Sequence, residues 1–280
     1  MEPLAPSQTA YAVARMRAGH QILDAGNIFS DPYACAILGE QPAEIVAALN
    51  LDPNSAAVRT YMARRSRIGE DWLHEAYLRG VRQAVILGAG FDTFSLRNPY
   101  SDLAVFEVDH PATQRWKQGR LAAAALSIPS SLKFVPVDFS KDDLTSAMQE
   151  SGFDKNATAF FLWLGVVPYL HHEAISKTLN SIAAIPGAEV VFDYSEPLEN
   201  YAPEQRPYIE KMAQRVAALG EPWLSYFDPV VLAQELKNLG YQEIQDLDRA
   251  GIVNWGSDER AVSKVVGPHL IRARRIPESL

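Results

Sequence analysis

At 280 residues, 48% apolar and 21% charged, the chain is long enough for one large core with a cover, and its composition is that of an ordinary globular protein. A formal net charge of −8 argues against a basic face for duplex nucleic acid. The N-terminus lacks a basic segment followed by an apolar stretch, and no apolar run approaches a membrane span, so a cytoplasmic location without a membrane partner is expected. The single cysteine, Cys35, excludes an intrachain disulfide; between Ala34 and Ala36 it reads as a small buried residue. No Cys/His cluster has zinc spacing, and the adjacent His171 and His172 do not share a helix face, so no metal is expected.

Residues 1–80 read as a mostly helical cover. Ser7 or Thr9 can cap a helix over Ala10–Ile22, Pro32 starts a short helix to Leu38, and Pro42 starts another to Leu49. A long amphipathic stretch, Ala56–Tyr77, carries Arg64, Arg65 and Arg67. From residue 81 the pattern alternates between strands and helices. Strands are expected at Ala84–Leu87, Val105–Val108, Lys133–Val137, Thr158–Leu162 and Glu189–Phe192, with helices at Pro111–Leu126, from about Lys141, and at Glu173–Ala184. Continuous apolar strands joined by helices predict a doubly wound α/β fold around a mostly parallel sheet. Residues 195–228, rich in proline and aromatics, interrupt the rhythm and read as a helical insert near the carboxyl edge. A helix over Val230–Leu239, a strand over Tyr241–Leu247, a helix over 257–266 and a strand over His269–Arg274 complete seven strands, the last two as an antiparallel hairpin at one edge.

The chemistry gathers at the strand ends, where open α/β sheets bind ligands. The first strand runs into Gly88-Ala89-Gly90, then Phe91-Asp92-Thr93. The second carries Glu107 and Asp109, the third ends at Asp138, the fourth leads into Trp163-Leu164-Gly165, and the fifth ends at Asp193. Glycines let a ligand approach the backbone, and a strand-end acid can accept from ribose hydroxyls. The third glycine of a pyrophosphate site is missing, as is any Gly-Lys-Ser/Thr phosphate loop. An adenosine carrying an amino-acid tail and no phosphates, S-adenosylmethionine, suits this pattern better than a nicotinamide dinucleotide.

Read together, these motifs resemble the leucine carboxyl methyltransferase superfamily, in particular its bacterial branch of polyketide-type O-methyltransferases. The resemblance rests on Ser7-Gln-Thr-Ala10 with Arg17-Ala-Gly-His20, Phe29-Ser-Asp-Pro-Tyr-Ala34, Tyr61-Met-Ala-Arg64 and Leu87-Gly-Ala-Gly-Phe-Asp-Thr93 with Arg97. It continues through Phe106-Glu-Val-Asp-His-Pro111, Val135-Pro-Val-Asp-Phe139, Gly165-Val-Val-Pro-Tyr-Leu170, Val191-Phe-Asp-Tyr194 and Gly220-Glu-Pro-Trp223. It implies a Rossmann-like core over 81–280 and S-adenosylmethionine as cofactor. On matching positions it implies that Arg64 holds the methionine carboxylate and that Gly88, Ala89 and Gly90 line the methionine and ribose. Asp109 would take the ribose, with Glu107 as the alternate, and Asp138 and Phe139 would meet the adenine, with Trp163 and Leu164 nearby. Many relatives have an acid where this chain has Leu164, and many bacterial ones an arginine where it has Phe94.

The implied reaction is in-line methyl transfer to a small-molecule acceptor. An ionised carboxylate needs no general base, whereas a phenol does, for which His20, Tyr169 and Tyr194 are candidates. Arg17 or Arg206 would anchor an acidic substrate, and Trp223 and Tyr226 would supply an apolar, water-excluding pocket. Methylation of a protein C-terminal carboxylate and a cofactor-binding protein without transferase activity are the alternatives. Oligomeric state is not legible.

Overall fold

Runs of Val, Ile, Leu and Phe form the central strands because both faces of the sheet are covered. The computed structural model describes residues 7–138, 141–256 and 265–276. In chain order come helices α1 (Gln8–Leu23), α2 (Ala34–Leu38), α3 (Pro42–Asn50) and α4 (Ser55–Leu78), followed by β1 (Gln83–Leu87), α5 (Phe94–Arg97), β2 (Ala104–Asp109), α6 (Pro111–Ala123) and β3 (Leu132–Pro136). Then follow α7 (Leu144–Glu150), β4 (Phe160–Trp163), α8 (His172–Ala183) and β5 (Glu189–Ser195). The chain ends with α9 (Arg206–Ala217), α10 (Pro229–Asn238), β6 (Glu243–Leu247), α11 (Arg249–Val253) and β7 (Pro268–Arg274).

The strands lie in the order β3-β2-β1-β4-β5-β7-β6. β1 through β5 pair in parallel, while β7 runs antiparallel to β5 and to β6. The expected mostly parallel seven-stranded sheet with a closing hairpin is therefore present. The order reverses between β1 and β4, which opens a crevice above their carboxyl ends.

Side chains alternate across the sheet with period two. Val85, Leu87, Phe106, Phe161, Val190 and Phe192 face one core with Met148, Leu179 and Leu236 from α7, α8 and α10. Ala84, Ile86, Val105, Phe160 and Leu162 face the other, where α4 contributes Ile68, Trp72 and Leu73. Each of those α4 side chains is at most 2% exposed, and burial of such a side chain contributes about 1.5–3 kcal/mol. That is ample reason for α4 to be fixed to the sheet. Helices α1 to α3 build a third core with Phe91 and with Leu121 of α6. Ser7 caps α1, its hydroxyl accepting from the Ala10 amide at 3.0 Å.

Some elements differ from expectation. Helix α7 starts at Leu144, not near Lys141, because Asp143 is its cap and accepts from the Ser146 amide. Helices α5 and α11, of four and five residues, are too short to show a helical period. The helix expected over 257–266 falls mostly outside the described residues. No helix among the described residues is long and apolar enough to cross a membrane.

Candidate active site

The glycine turn after β1 shapes the centre of the crevice. Gly88 has φ +64° and Gly90 φ +43°, a left-handed region that side chains resist. A Cβ at Gly88 would lie 2.4 Å from a methyl of Val166. The amides of Gly88 and Ala89 both donate to the Val108 carbonyl, and the Gly90 amide donates to an Asp109 carboxylate oxygen at 2.6 Å. The other Asp109 oxygen accepts from the His110 amide at 2.7 Å. Burial raises the Asp109 pKa, and these two amides only partly oppose it.

A second carboxylate is fixed three strands away. Asp193, at the end of β5, accepts from the Gly165 amide at 2.5 Å and from the Arg65 guanidinium at 2.6 Å. Both side chains are largely buried, 7% and 10% exposed, so the charges match each other in a poorly solvated place. Among the described residues, the buried Nε atoms of Arg65 and Arg17 and the Tyr61 hydroxyl have no hydrogen-bond partner. Burial, and then the Asp193 charge, push the Tyr61 phenol well above its usual range.

The turn and both carboxylates open onto one cavity of about 1090 Å³. Its floor is the strand-end set Gly88–Gly90, Asp92, Asp109, Asp138, Leu164, Gly165 and Asp193. Its walls include Arg17 of α1, Tyr61, Met62 and Arg65 of α4, and Arg249 of α11. Its roof comes from the insert: Tyr201, Tyr208, Met212, Trp223 and Tyr226. Arg17 donates to Asp31 and to Thr93 and lies 3.6 Å from Asp92. Burial alone would raise the Asp31 carboxyl, but Arg17, Arg97 and Thr93 more than offset that and hold it below the usual range.

The roof is tied to the first helix. Glu221 accepts from the amides of Gln8 and Thr9, at 2.8 and 3.2 Å, and from the hydroxyls of Ser7 and Thr9. A carboxylate on the free amides of a helix N-terminus is well placed. Burial opposes its charge, yet these donors hold its pKa below the ordinary glutamate value.

The structure redistributes the expected residues. Gly88, Ala89, Gly90, Asp109, Asp138, Leu164, Tyr169, Tyr194, Arg17, Trp223 and Tyr226 all line the cavity. Asp138 is paired with Lys141 at 2.8 Å. Phe139 lies outside the described residues. Arg64 does not line the cavity; its guanidinium donates to the Trp255 carbonyl at 2.6 Å. Arg65, one residue on, occupies the cavity wall, because the inward stripe of α4 is Val58, Tyr61, Met62 and Arg65. That i, i+3, i+4, i+7 spacing was present in the sequence and would have selected Arg65.

Other expected residues are also displaced. Glu107 is fully buried, paired with Lys117 at 2.6 Å and accepting from Ser95, so Asp109 alone of the two acids reaches the cavity. Trp163 is sealed in the core. His20 spends both ring nitrogens inside the cover, one on Asp24 at 3.0 Å and the other accepting from the amides of Ile28 and Phe29. Arg206 pins the start of α9 to the carbonyls of Tyr201 and Glu199. Tyr194 borders the cavity, but its hydroxyl donates to Asp246 at 2.6 Å and its ring stacks on His269. Burial, and then Asp246, push its pKa up, and its hydroxyl is committed to that carboxylate. Sequence reasoning placed Asp193 at a strand end without giving it a role, and missed Tyr61, Glu221 and Arg249 as cavity-lining residues.

Residues 10–183 match the family described as leucine carboxyl methyltransferase. The chain is 38% identical over 206 residues to "Putative S-adenosyl-L-methionine-dependent methyltransferase YktD" of Bacillus subtilis strain 168, covering 72% of this chain and 61% of that protein. It is 33% identical over 180 residues to a "Putative S-adenosyl-L-methionine-dependent methyltransferase" of Saccharopolyspora erythraea, covering 62% of this chain and 61% of the relative. These two matches thus span about three fifths of the relatives' own length. A relative of the same name from Mycobacterium avium strain 104 is 30% identical over 218 residues, 72% of each chain. In fold, the chain is similar to the crystal structure of a "putative methyltransferase" from Thermobifida fusca YX, with a TM-score of 0.62, 14% identity and coverage of 98% and 96%. With well over half of its length matched, the chain belongs to the leucine carboxyl methyltransferase family.

Proposed function

We propose that this chain is an S-adenosylmethionine-dependent O-methyltransferase acting on a small-molecule carboxylic acid or phenol. The observation that carries this reading is the convergence of the glycine turn, Asp109, Asp138 and the Arg65–Asp193 pair on one cavity. The buried Nε atoms of Arg17 and Arg65 and the Tyr61 hydroxyl, without hydrogen-bond partners among the described residues, are donors that suit the polar tail of such a cofactor. The named relatives carry S-adenosyl-L-methionine dependence in their names.

The residues divide the work as follows. Arg65 and Arg17 suit the methionine carboxylate, since a guanidinium fork matches a carboxylate. Gly88 to Gly90 offer close backbone approach, Asp109 suits the ribose hydroxyls, and Val137 with Asp138 suits the adenine edge. When bound, the cofactor supplies a methyl group already activated on a sulfonium. The protein then has to orient the acceptor in line and exclude water, which is the task of Met212, Trp223 and Tyr226 in the roof. Leu164 presents an apolar surface where many relatives have an acid, and the nearby carboxylate, Asp193, is matched by Arg65. Of the candidate bases, Tyr169 lines the cavity with no side-chain hydrogen bond among the described residues, and an ionised acid needs no base.

The volume also supports a cofactor and a small acceptor together, since a single drug-sized ligand fills about 300–1,000 Å³. The Glu221 tie across the roof speaks against a folded protein as acceptor. We read residues 1–80 and the insert 195–228 as the cover of the core over 81–280. Titration calorimetry with S-adenosylmethionine is the direct test, and well-folded protein that binds none of it sinks this reading. Transfer of a labelled methyl group to a panel of acids and phenols then separates base-labile esters from base-stable ethers.

A further inference from the structure

The insert that roofs the cavity leaves the sheet and returns to it at one place. It leaves after Ser195, the last residue of β5, and Glu196 follows at once. It comes back at Phe227, whose amide donates to the Ser195 carbonyl at 3.0 Å. The Phe227 ring meets Tyr194 edge-on, with 6.0 Å between centres. Tyr194, Ser195, Tyr201 and Pro268 at this root all line the cavity, so the root shapes the wall beneath the roof.

A buried histidine joins the root to the last two strands. His269 lies opposite Tyr194 in the β5–β7 pairing, 2% exposed, with its ring stacked on the phenol at 4.8 Å. Its Nδ1 is 3.0 Å from one oxygen of Asp246 on β6, and its Nε2 is 3.0 Å from one oxygen of Glu196. The second Asp246 oxygen accepts from the Tyr194 hydroxyl at 2.6 Å, and the second Glu196 oxygen accepts from the side-chain amide of Asn200 at 2.8 Å. One ring thus holds the first residues of the insert and the β6–β7 hairpin together. A neutral imidazole has a single N–H and would aim a lone pair at one of the two carboxylates. Ionised acids on both sides therefore call for the doubly protonated ring.

We propose that His269, as an imidazolium, is a positioning residue for the roof: it clasps the root of the insert to the β6–β7 hairpin, and the roof loosens when the ring gives up its second proton. The direction of the pH response follows from the surroundings. Burial alone would lower the ring's pKa, but Asp246 and then Glu196 more than offset this and hold it above the ordinary histidine value of 6.5. The clasp is complete below that ordinary value and is lost as pH rises through the higher folded one. The neighbouring phenols stay protonated there. Burial, and then the charges of Asp246, Glu196 and Asp228, push Tyr194 up, while burial and then Glu196 push Tyr201 up to about 12. His172, exposed on α8, also touches the root, with its ring centre 4.6 Å from that of Phe227.

The test is hydrogen exchange read by mass spectrometry on the whole protein and corrected for intrinsic rates. In the parent, peptides from the two ends of the insert should exchange about ten-fold faster at pH 9 than at pH 6, while those from β1 and β2 stay within about two-fold. His269→Gln should exchange fast at both pH values. Glu196→Gln should keep the roof protected and remove the pH response, because its amide N–H can donate to the bare Nε2 of a neutral ring while its oxygen keeps Asn200. Roof protection that is flat with pH in the parent overturns the clasp. A pH response that survives His269→Gln overturns it too, by giving the response to His172. If His269→Gln does not fold, an unchanged pH response in Glu196→Gln overturns the clasp, and a lost response with the roof still protected upholds it.

The effect on the cofactor rests on the methyltransferase reading above. S-adenosylhomocysteine should leave folded His269→Gln about ten-fold faster than the parent at pH 7, since the roof covers the cavity. Equal dissociation from the two proteins overturns the positioning role. Parent protein that binds no S-adenosylhomocysteine removes the methyltransferase reading, and the exchange pattern by itself then upholds or overturns the clasp.

Discussion

The two halves of the strand-end edge hold their carboxylates by different means. On the β1–β2 side, Asp109 accepts from backbone amides 19 and 1 residues away. On the β4–β5 side, Asp193 accepts from an amide 28 residues away and from a guanidinium 128 residues away. The first arrangement is a property of a turn and is written in Gly-Ala-Gly and the next strand. The second depends on how α4 is rotated on the sheet, which is decided by Ile68, Trp72 and Leu73 in the opposite core. A backbone-held acid survives most side-chain changes, whereas a guanidinium-held acid is exposed to the loss of one residue.

The sharpest way to break that comparison is Arg65→Ala. It strands Asp193 in a poorly solvated site, and removal of one partner from a buried pair destabilises by about 3–5 kcal/mol. Urea denaturation should show that loss, and adding Asp193→Leu should return much of it. A smaller effect is expected at the turn. Gly88→Ala should lose about 1–2 kcal/mol to left-handed backbone and about 1–3 kcal/mol more to crowding against Val166. Gly90→Ala should lose only the backbone part, because the nearest atoms to its new Cβ are 3.8 Å away. Equal destabilisation of the two would mean that Val166 yields.

The Glu221 tie gives a pH-dependent contrast between roof and floor. Its folded pKa lies below the ordinary value near 4.3, so its contribution is complete above that value and is lost as pH falls through the folded pKa. Glu221→Ala should lower stability by about 0.5–2 kcal/mol at pH 7, the scale of a helix cap, and by progressively less in thermal melts at more acid pH. A difference between the two proteins that does not change with pH would remove the carboxylate from this role. Smallest of all is Arg64→Ala, which should leave S-adenosylmethionine affinity within two-fold of the parent while losing about 1 kcal/mol of stability with the Trp255 contact. A large loss of affinity would return the cofactor role from Arg65 to Arg64.

Much of the cavity floor was legible because it is local. Gly88 to Gly90, Asp109, Asp138 and Leu164 stand at strand ends, and strand ends can be read from apolar runs. Glu107 shows the limit of that logic. It shares the face of Asp109 by strand period, yet Lys117 on α6 captures it in the interior. His20, Arg206 and Tyr194 show the same limit, since each side chain is spent on partners that only folding brings near.

The amino-acid sequence by itself determined the sheet, its parallel core and hairpin edge, and the acids and glycines at its carboxyl ends. These follow from period-two burial, turn chemistry and right-handed crossovers, all of which act over short stretches of chain. Tertiary structure alone decided which arginine of α4 faces the cavity and that Glu221 closes the roof onto α1. Those outcomes depend on helix rotation and on contacts between segments as much as 214 residues apart, and no local preference encodes them.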